Sequence, residues 1–392
     1  MVKTNIILRY LFTGVTSFIV CGSNVSVFGE SLGKGDLKGR VFYILREEER
    51  EENQPLVFYY DLETGTEREV GRLPLPLRSH TGLSISSDGE KIVGCAVIPF
   101  DKDEGPKVEV YALGRLVSGE YELTEKQSYS VPVFPFRSVY DEWDNAVYLT
   151  CNEALPLEEK DGNRFGLQDF KLKVTLAVID LDENALTSVD ITSRGDQTGV
   201  SGVTERGIYL AGPEGMKFIR RGQLSLFKEA GFVSRYVSVN FPLILYGGES
   251  FVIEGIKGPE DAFLLDYVPF TQFPRVGLGE AEFAIPKREK GYTPFYQLTN
   301  TVSPYSGHCL ITKHYKDFER EDASLCWELL ALDTTTWEIT SIVKKYGGDY
   351  AIHNPPFVFG WIAPEEGTGG DTAHNYIHNN NFIYRPWSLG ED

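Results

Sequence analysis

Short apolar runs separated by tight polar turns recur along the chain, and their alternation has the period of strands rather than helices. One unit is a short strand, a turn and a more apolar strand. It reads Leu83-Ser-Ile-Ser-Ser-Asp-Gly-Glu-Lys-Ile-Val-Gly-Cys95, and again Arg137-Ser-Val-Tyr-Asp-Glu-Trp-Asp-Asn-Ala-Val-Tyr-Leu-Thr-Cys151. Fainter copies lie at Val200–Ala211, Tyr236–Tyr246, Tyr296–Thr312 and Tyr350–Trp361. Their turns carry Asp88-Gly89, Asp144-Asn145, Arg206-Gly207, Phe241-Pro242, Ser306-Gly307 and Pro355-Pro356; pairs such as Asp-Gly supply the positive φ angles a hairpin needs. A second unit is a hairpin whose first strand ends in Asp: Val57–Asp61 with Thr66–Val70, Leu176–Asp180 with Ala185–Ile191, and Leu329–Asp333 with Glu338–Val343. The Asp side chain can cap backbone N–H groups of the turn it opens, so these aspartates read as structural.

The first unit starts at residues 83, 137, 200, 236, 296 and 350. Four short strands per repeat of roughly 40–50 residues is the blade pattern of a β-propeller. The segments near Val41–Leu45, Leu56–Tyr60 and Glu67–Val70 supply three strands without an inner one, and the run Phe382-Ile-Tyr-Arg385 is the expected strand that closes the ring. Six hairpin starts plus one closed blade favour seven four-stranded antiparallel blades over six, in an all-β chain. A two-domain β protein is the structural rival.

Ser87-Asp88-Gly89-Glu90-Lys91-Ile92 resembles the Ser-Pro-Asp-Gly-Lys-Lys-Ile strand pair of the WD40-like propellers of the TolB and dipeptidyl-peptidase type, with Ser86-Ser87 in place of Ser-Pro. Asp61-Leu-Glu-Thr-Gly65 resembles the outer hairpin of the same families. The resemblance implies the fold. It argues against a serine peptidase, because no Gly-x-Ser-x-Gly elbow is present.

Composition refines this picture. The chain has 392 residues, 38 Lys+Arg against 57 Asp+Glu, and a net charge of −19. Nucleic acid is an unsuitable partner for such a charge. Lys3 and Arg9, followed by an apolar stretch from Tyr10 to Gly22, read as a secretory signal over residues 1–29, leaving residues 30–392 as one propeller domain exported to periplasm or medium. An uncleaved N-terminal anchor is the alternative; the mature chain offers no other bilayer span.

Export permits disulfides, and Cys309 and Cys326 fall on two apolar runs that read as adjacent strands, so a bridge between them is a candidate. The rival reading makes Cys95, Cys151, Cys309 and Cys326 buried core residues.

Within a blade, the loop between strands two and three shares a face with the connection to the next blade. The candidate loops are 46–54, 99–107, 153–172, 315–323 and 363–381, and together they carry a net charge of −11. Their acidic residues include Glu47, Glu48, Glu49, Glu51, Glu52, Asp101, Asp103, Glu319, Glu321, Asp322, Glu365 and Glu366. Such a face attracts a cation or a basic partner over long range; the alternative is a set of solvated loops.

Histidine is scarce, with six copies. Asp371, His374 and His378 could form a three-ligand metal site if the segment turns helically. His308 and His353 hold early places in their repeats, comparable to the channel histidines of oligogalacturonate-lyase-like propellers, although no Gln-x-x-His-x-His pattern is present. Asp180-Leu-Asp-Glu-Asn184 lacks the spacing of a Ca²⁺ loop and reads as a turn. The aromatic-bearing segment 269–291, with Phe270, Phe273 and Phe283, is a candidate partner surface. Together these features favour a non-enzymatic exported scaffold for a protein or carbohydrate partner, with no cofactor. A metal-dependent lyase or hydrolase at the channel mouth is the alternative.

Overall fold

The computed structural model describes residues 37–45, 54–99, 105–156, 170–192, 199–212, 215–226, 230, 232–234, 243–244, 250–254, 262–269, 283–286, 295–316, 325–334, 336–347, 356–364 and 377–379. The chain divides into Met1–Leu37, of which only Leu37 is described, and Lys38–Asp392. The second unit is built from antiparallel strands, taken here in chain order.

The first three strands are β1 (Arg40–Ile44), β2 (Leu56–Asp61) and β3 (Thr66–Arg72). Four-stranded sets follow: β4 (His80–Ile85), β5 (Lys91–Ile98), β6 (Lys107–Arg115), β7 (Tyr121–Ser130); then β8 (Pro135–Asp141), β9 (Ala146–Pro156), β10 (Phe170–Asp180), β11 (Ala185–Asp190); then β12 (Gly199–Thr204), β13 (Gly207–Gly212), β14 (Gly215–Arg220), β15 (Phe232–Ser234). Two more are β16 (Leu243–Ile244), β17 (Ser250–Glu254), β18 (Ala262–Pro269), β19 (Phe283–Pro286), and β20 (Phe295–Val302), β21 (His308–Lys316), β22 (Leu325–Asp333), β23 (Ile339–Gly347). The chain returns as β24 (Phe357–Ile362) and ends its described part in β25 (Ile377–Asn379).

β24 pairs antiparallel with β1 and supplies the inner strand that β1–β3 lack. The inner strands then pack in sequence: β24 on β4, β4 on β8, β8 on β12, β12 on β16, β16 on β20, and β20 on β24. That is a closed ring of six four-stranded blades among the described residues, the arrangement of a β-propeller. Blades 1 and 2 also join at one parallel bridge, Gly71 with Tyr121.

The expectation of seven blades counts blade 1 twice. Tyr350–Trp361 reads as a sixth hairpin start, whereas its strand, β24, is the closing strand of blade 1. The proposed closing run Phe382–Arg385 lies outside the described residues. The Tyr236–Tyr246 copy is described only at β16, Leu243–Ile244, which pairs with β17, so Phe241-Pro242 precedes the paired strands and does not join them.

Burial follows the radius of the ring. The inner strands β4, β12 and β24, and β1 beside β24, are buried at every position. The outer strands β3 and β7 are largely exposed and read Thr-Glu-Arg-Glu-Val-Gly-Arg and Tyr-Glu-Leu-Thr-Glu-Lys-Gln-Ser-Tyr-Ser. Inner strands converge toward the axis and therefore use small residues, as in His80-Thr-Gly-Leu-Ser-Ile85 and Gly199-Val-Ser-Gly-Val-Thr204. Gly82 shows the constraint: a Cβ there would lie 2.2 Å from the Ser138 carbonyl oxygen of the next blade.

The apolar core is divided among the blade interfaces. Val93, Val108 and Val110 of blade 2 meet Tyr140, Val147 and Leu149 of blade 3. Val139, Tyr148 and Leu176 of blade 3 meet Val200, Ile208 and Leu210 of blade 4. Phe42 and Val57 meet Leu83, Ile92 and Phe359 where the ring closes. This burial is the main stabilising term.

The hairpins obey the expected turn chemistry. Asp61 Oδ1 accepts hydrogen bonds from the N–H groups of Glu63 (3.1 Å) and Thr64 (2.8 Å). Asp180 Oδ1 accepts from Asp182 and Glu183 (both 2.9 Å), and Asp333 Oδ1 from Thr336 (3.2 Å). The residue four on takes positive φ in each: Gly65 (68°), Asn184 (52°) and Trp337 (62°).

Candidate functional site at the ring axis

The most constrained polar cluster among the described residues centres on the β8–β9 turn, Asp141-Glu-Trp-Asp-Asn145. Asp141 opens this turn as the other aspartates do, accepting from the N–H groups of Trp143 (3.0 Å) and Asp144 (3.3 Å), and Asn145 takes φ 42°. Asp141 is fully buried. Arg221, just after β14 in blade 4, clamps it with Nη1 to Oδ2 at 2.7 Å and Nη2 to Oδ1 at 2.8 Å. The same guanidinium donates to the Thr204 carbonyl (2.7 Å) and the Glu205 carbonyl, pairs with Asp144, and stands 5.3 Å from the Trp143 ring centre. The bidentate fork needs a planar donor, which Arg supplies and Lys does not.

Electrostatics follow from this burial. Desolvation raises the Asp141 pKa above its ordinary value despite Arg221. Desolvation works against the Arg221 cation too, but Asp141 and Asp144 outweigh it and hold its pKa above the usual value.

The next residue points to the axis. Glu142 Oε2 accepts a hydrogen bond from the Ser87 N–H of blade 2 at 2.7 Å and lies 3.6 Å from His378 Nε2 of β25. Burial pushes this carboxyl up, yet His378 and the Ser87 donor outweigh it and its pKa is lowered. The His378 ring meets Tyr140 and Trp143 edge-on, with centroids 5.6 and 5.5 Å apart. Tyr140 in turn donates to Asn145 Oδ1 (3.1 Å), and Lys91 Nζ stands 5.8 Å above its ring.

β25 itself runs antiparallel along the inner edge of β12, with Ile377 opposite Thr204 and Asn379 opposite Gly202. It also packs against β8, β16 and β20, so it lies inside the ring. Asn379 Oδ1 accepts from the Ile244 N–H at 2.9 Å, and its Nδ2 donates to the Ile244 carbonyl at 3.0 Å. The side-chain amide thus pairs with the backbone of β16 as another strand would.

Of the metal candidates, His308 and His378 are described, whereas Asp371, His374 and His353 lie outside the described residues. His308 sits at the start of β21, 2.9 Å from Ser306 Oγ through Nδ1 and 3.9 Å from Asp333 Oδ2 through Nε2, in turns of blade 6. His378 belongs to the axial cluster instead. Among the described residues no group of three metal-ligating side chains converges. Glu142 and His378 are the ligand-type pair found at the axis, and sequence reading missed Glu142, Arg221 and Asn379. Their positions give no local signal, because each partner lies on a different blade or on β25. Asp182 Oδ1 accepts from Asn145 Nδ2 at 2.6 Å, so the Asp180–Asn184 segment works as a turn that also ties the two hairpin turns of blade 3 together.

All twelve acidic-loop residues, from Glu47 to Glu366, lie outside the described residues. In the β1–β24 pair, Arg40 faces Ile362 and Ile44 faces Phe357. Phe270 and Phe273 lie outside the described residues, and Phe283 opens β19 instead of lying in a loop.

Cys309 and Cys326 occupy adjacent paired strands, as expected, but at opposite ends. Cys309 faces Leu332 and Cys326 faces Tyr315, an offset of roughly 20 Å at about 3.4 Å per residue. A disulfide requires Cα atoms within about 7 Å. Cys95, Cys151, Cys309 and Cys326 are all buried and form no disulfide. Burial pushes the Cys95 thiol up to about 11 and those of Cys151 and Cys309 up to about 12.

Fold and axis together define the chain as a β-propeller. No family model matches it, and no curated protein does either. Among solved structures it is similar to a periplasmic gluconolactonase of Pseudomonas aeruginosa, at TM-score 0.42 and 9% identity over 78% of this chain and 83% of that one. It is also similar to a protein described as TolB from Agrobacterium tumefaciens, at TM-score 0.40 and 10% identity over 82% of this chain and 98% of that one. An acylaminoacyl peptidase matches at TM-score 0.39 and 13% identity over 78% of this chain and 51% of that one.

Proposed function

We propose that this chain is an exported β-propeller that works as a binding scaffold, offering acidic loops to a protein or carbohydrate partner. The observation that carries the reading is the occupied axis. β25 lies inside the ring with Ile377, His378 and Asn379 buried, and the ionisable groups around it are engaged with one another. Recognition is then a matter for the loops, which is where rigid propellers of small side-chain interior can vary. The net charge of −19 and the acidic run Arg46-Glu-Glu-Glu-Arg-Glu-Glu52 support a partner with basic or hydrogen-bond-donating groups. Lys3, Arg9 and the apolar stretch after them support export.

The test compares native chain with the E47Q/E48Q/E49Q/E51Q/E52Q variant in capture from exported protein fractions and on a glycan array. The expected result is a ligand held by native chain and weakened at least about ten-fold at low salt by neutralisation. Equal retention by both chains removes the acidic-face reading. The alternative of a metal-dependent lyase or hydrolase draws on the Glu142–His378 pair. Stoichiometric Mn, Zn or Ca retained through dialysis and lost in H378A would establish it in place of the scaffold.

A further inference from the structure

The two C-terminal strands do different jobs. β24 closes the ring, since it pairs with β1 and packs between β20 and β4. β25 takes no part in that circuit, because β8, β12, β16 and β20 pack on one another in turn without it. It is nevertheless buried, and it approaches so closely that a Cβ on Gly202 would lie 3.1 Å from Asn379 Oδ1.

Its attachments are mainly polar. Ile377 is the apolar residue of the strand and joins the cluster of Tyr209, Met216 and Ile244. The other two residues are held by specific pairs: Asn379 to both backbone groups of Ile244, and His378 to Glu142 between the edges of Tyr140 and Trp143. Three residues paired to a single strand add little pairing energy compared with inner strands such as β4, β8 and β20, of six, seven and eight residues, and polar locks exchange for water more readily than an apolar plug does.

We propose that β25 is a releasable strap across the ring axis, locked by Asn379 and His378, and that the six-bladed ring stays closed when it leaves. Release uncovers the inner edge of β12, the Ile244 backbone and the Glu142 carboxylate as one concave polar surface. The strap is a feature of the ring and does not depend on the identity of any loop partner.

Hydrogen exchange read by mass spectrometry tests this on the full chain and its H378A/N379A variant. Exchange over segments 199–204 and 243–244 should rise at least ten-fold, with segments 40–44 and 357–362 unchanged and unfolding still a single transition. If exchange rises in all four segments, β25 is part of ring closure and the proposal fails. If it rises in none, these two residues do not lock the strap and the proposal also fails. N379D covers the case in which the double variant does not fold. It keeps the shape but sets a carboxylate against the Ile244 carbonyl, and it should raise exchange at 199–204 and 243–244 alone.

Discussion

Arg221→Ala removes the cation that clamps a fully buried carboxylate, and its cost follows from the geometry. Breaking one half of a buried ion pair costs about 3–5 kcal/mol, because the remaining charge is desolvated without compensation. The lower end applies, since Asp141 keeps hydrogen bonds from the N–H groups of Trp143 and Asp144 and the Arg221 side chain is 21% exposed. For a body the size of Lys38–Asp392 the unfolding entropy is roughly 0.7 kcal/mol per kelvin, so about 3 kcal/mol lowers Tm by about 4 °C. The pH dependence has a definite sign. Asp141 has a raised folded pKa, so the native state binds more protons than the unfolded chain between the ordinary and the raised value, and stability falls as pH rises through that window. Loss of Arg221 raises this pKa further. The deficit of R221A is therefore largest at neutral pH and shrinks on acidification toward the ordinary carboxylate range. Scanning calorimetry from neutral to mildly acidic pH, with the D141N/R221A double variant, measures both effects. The double variant should recover most of the loss, since no buried charge is stranded. A single-variant loss under about 1 kcal/mol, or a double variant as unstable as R221A, would refute the clamp.

E142Q should cost about 1–2 kcal/mol at neutral pH. Glu142 has a depressed folded pKa, so its contribution is present above the ordinary value and lost as pH falls through the folded one; Tm curves of native and variant chains should converge in acid. Gly82→Ala sets a methyl group 2.2 Å from the Ser138 carbonyl and should destabilise by about 1–3 kcal/mol, read from denaturant midpoints; an unchanged midpoint would show that blades 2 and 3 can separate. Thiol titration of the folded chain without residues 1–29 should find no reactive group, and titration in denaturant should find Cys95, Cys151, Cys309 and Cys326; recovery of only two would mean a bridge has formed.

The repeats were legible because a hairpin is a local object. Leu83–Cys95 became β4 and β5, Arg137–Cys151 became β8 and β9, and the Asp61, Asp180 and Asp333 turns cap as their composition demands. The aspartates needed no partner beyond three residues. Blade number was less accessible, because Tyr350–Trp361 has the composition of an inner strand whether it begins a blade of its own or completes the blade of β1. Only pairing across more than three hundred residues distinguishes the two, and no local pattern encodes that partner.

The axial cluster marks the same boundary. The sequence alone determined an all-β ring of hairpins, the turn roles of Asp61, Asp180 and Asp333 and an acidic, aromatic-rich composition, since all of these depend on side-chain chemistry within one hairpin. The tertiary structure decided that Arg221 from blade 4 would clamp Asp141, that Glu142 would face His378, and that Asn379 would complete the backbone of β16. It also separated Cys309 from Cys326 by the register of β21 on β22. Each of these contacts joins elements that are adjacent only after the ring has closed, and closure is set by the summed packing of blade on blade rather than by any short motif.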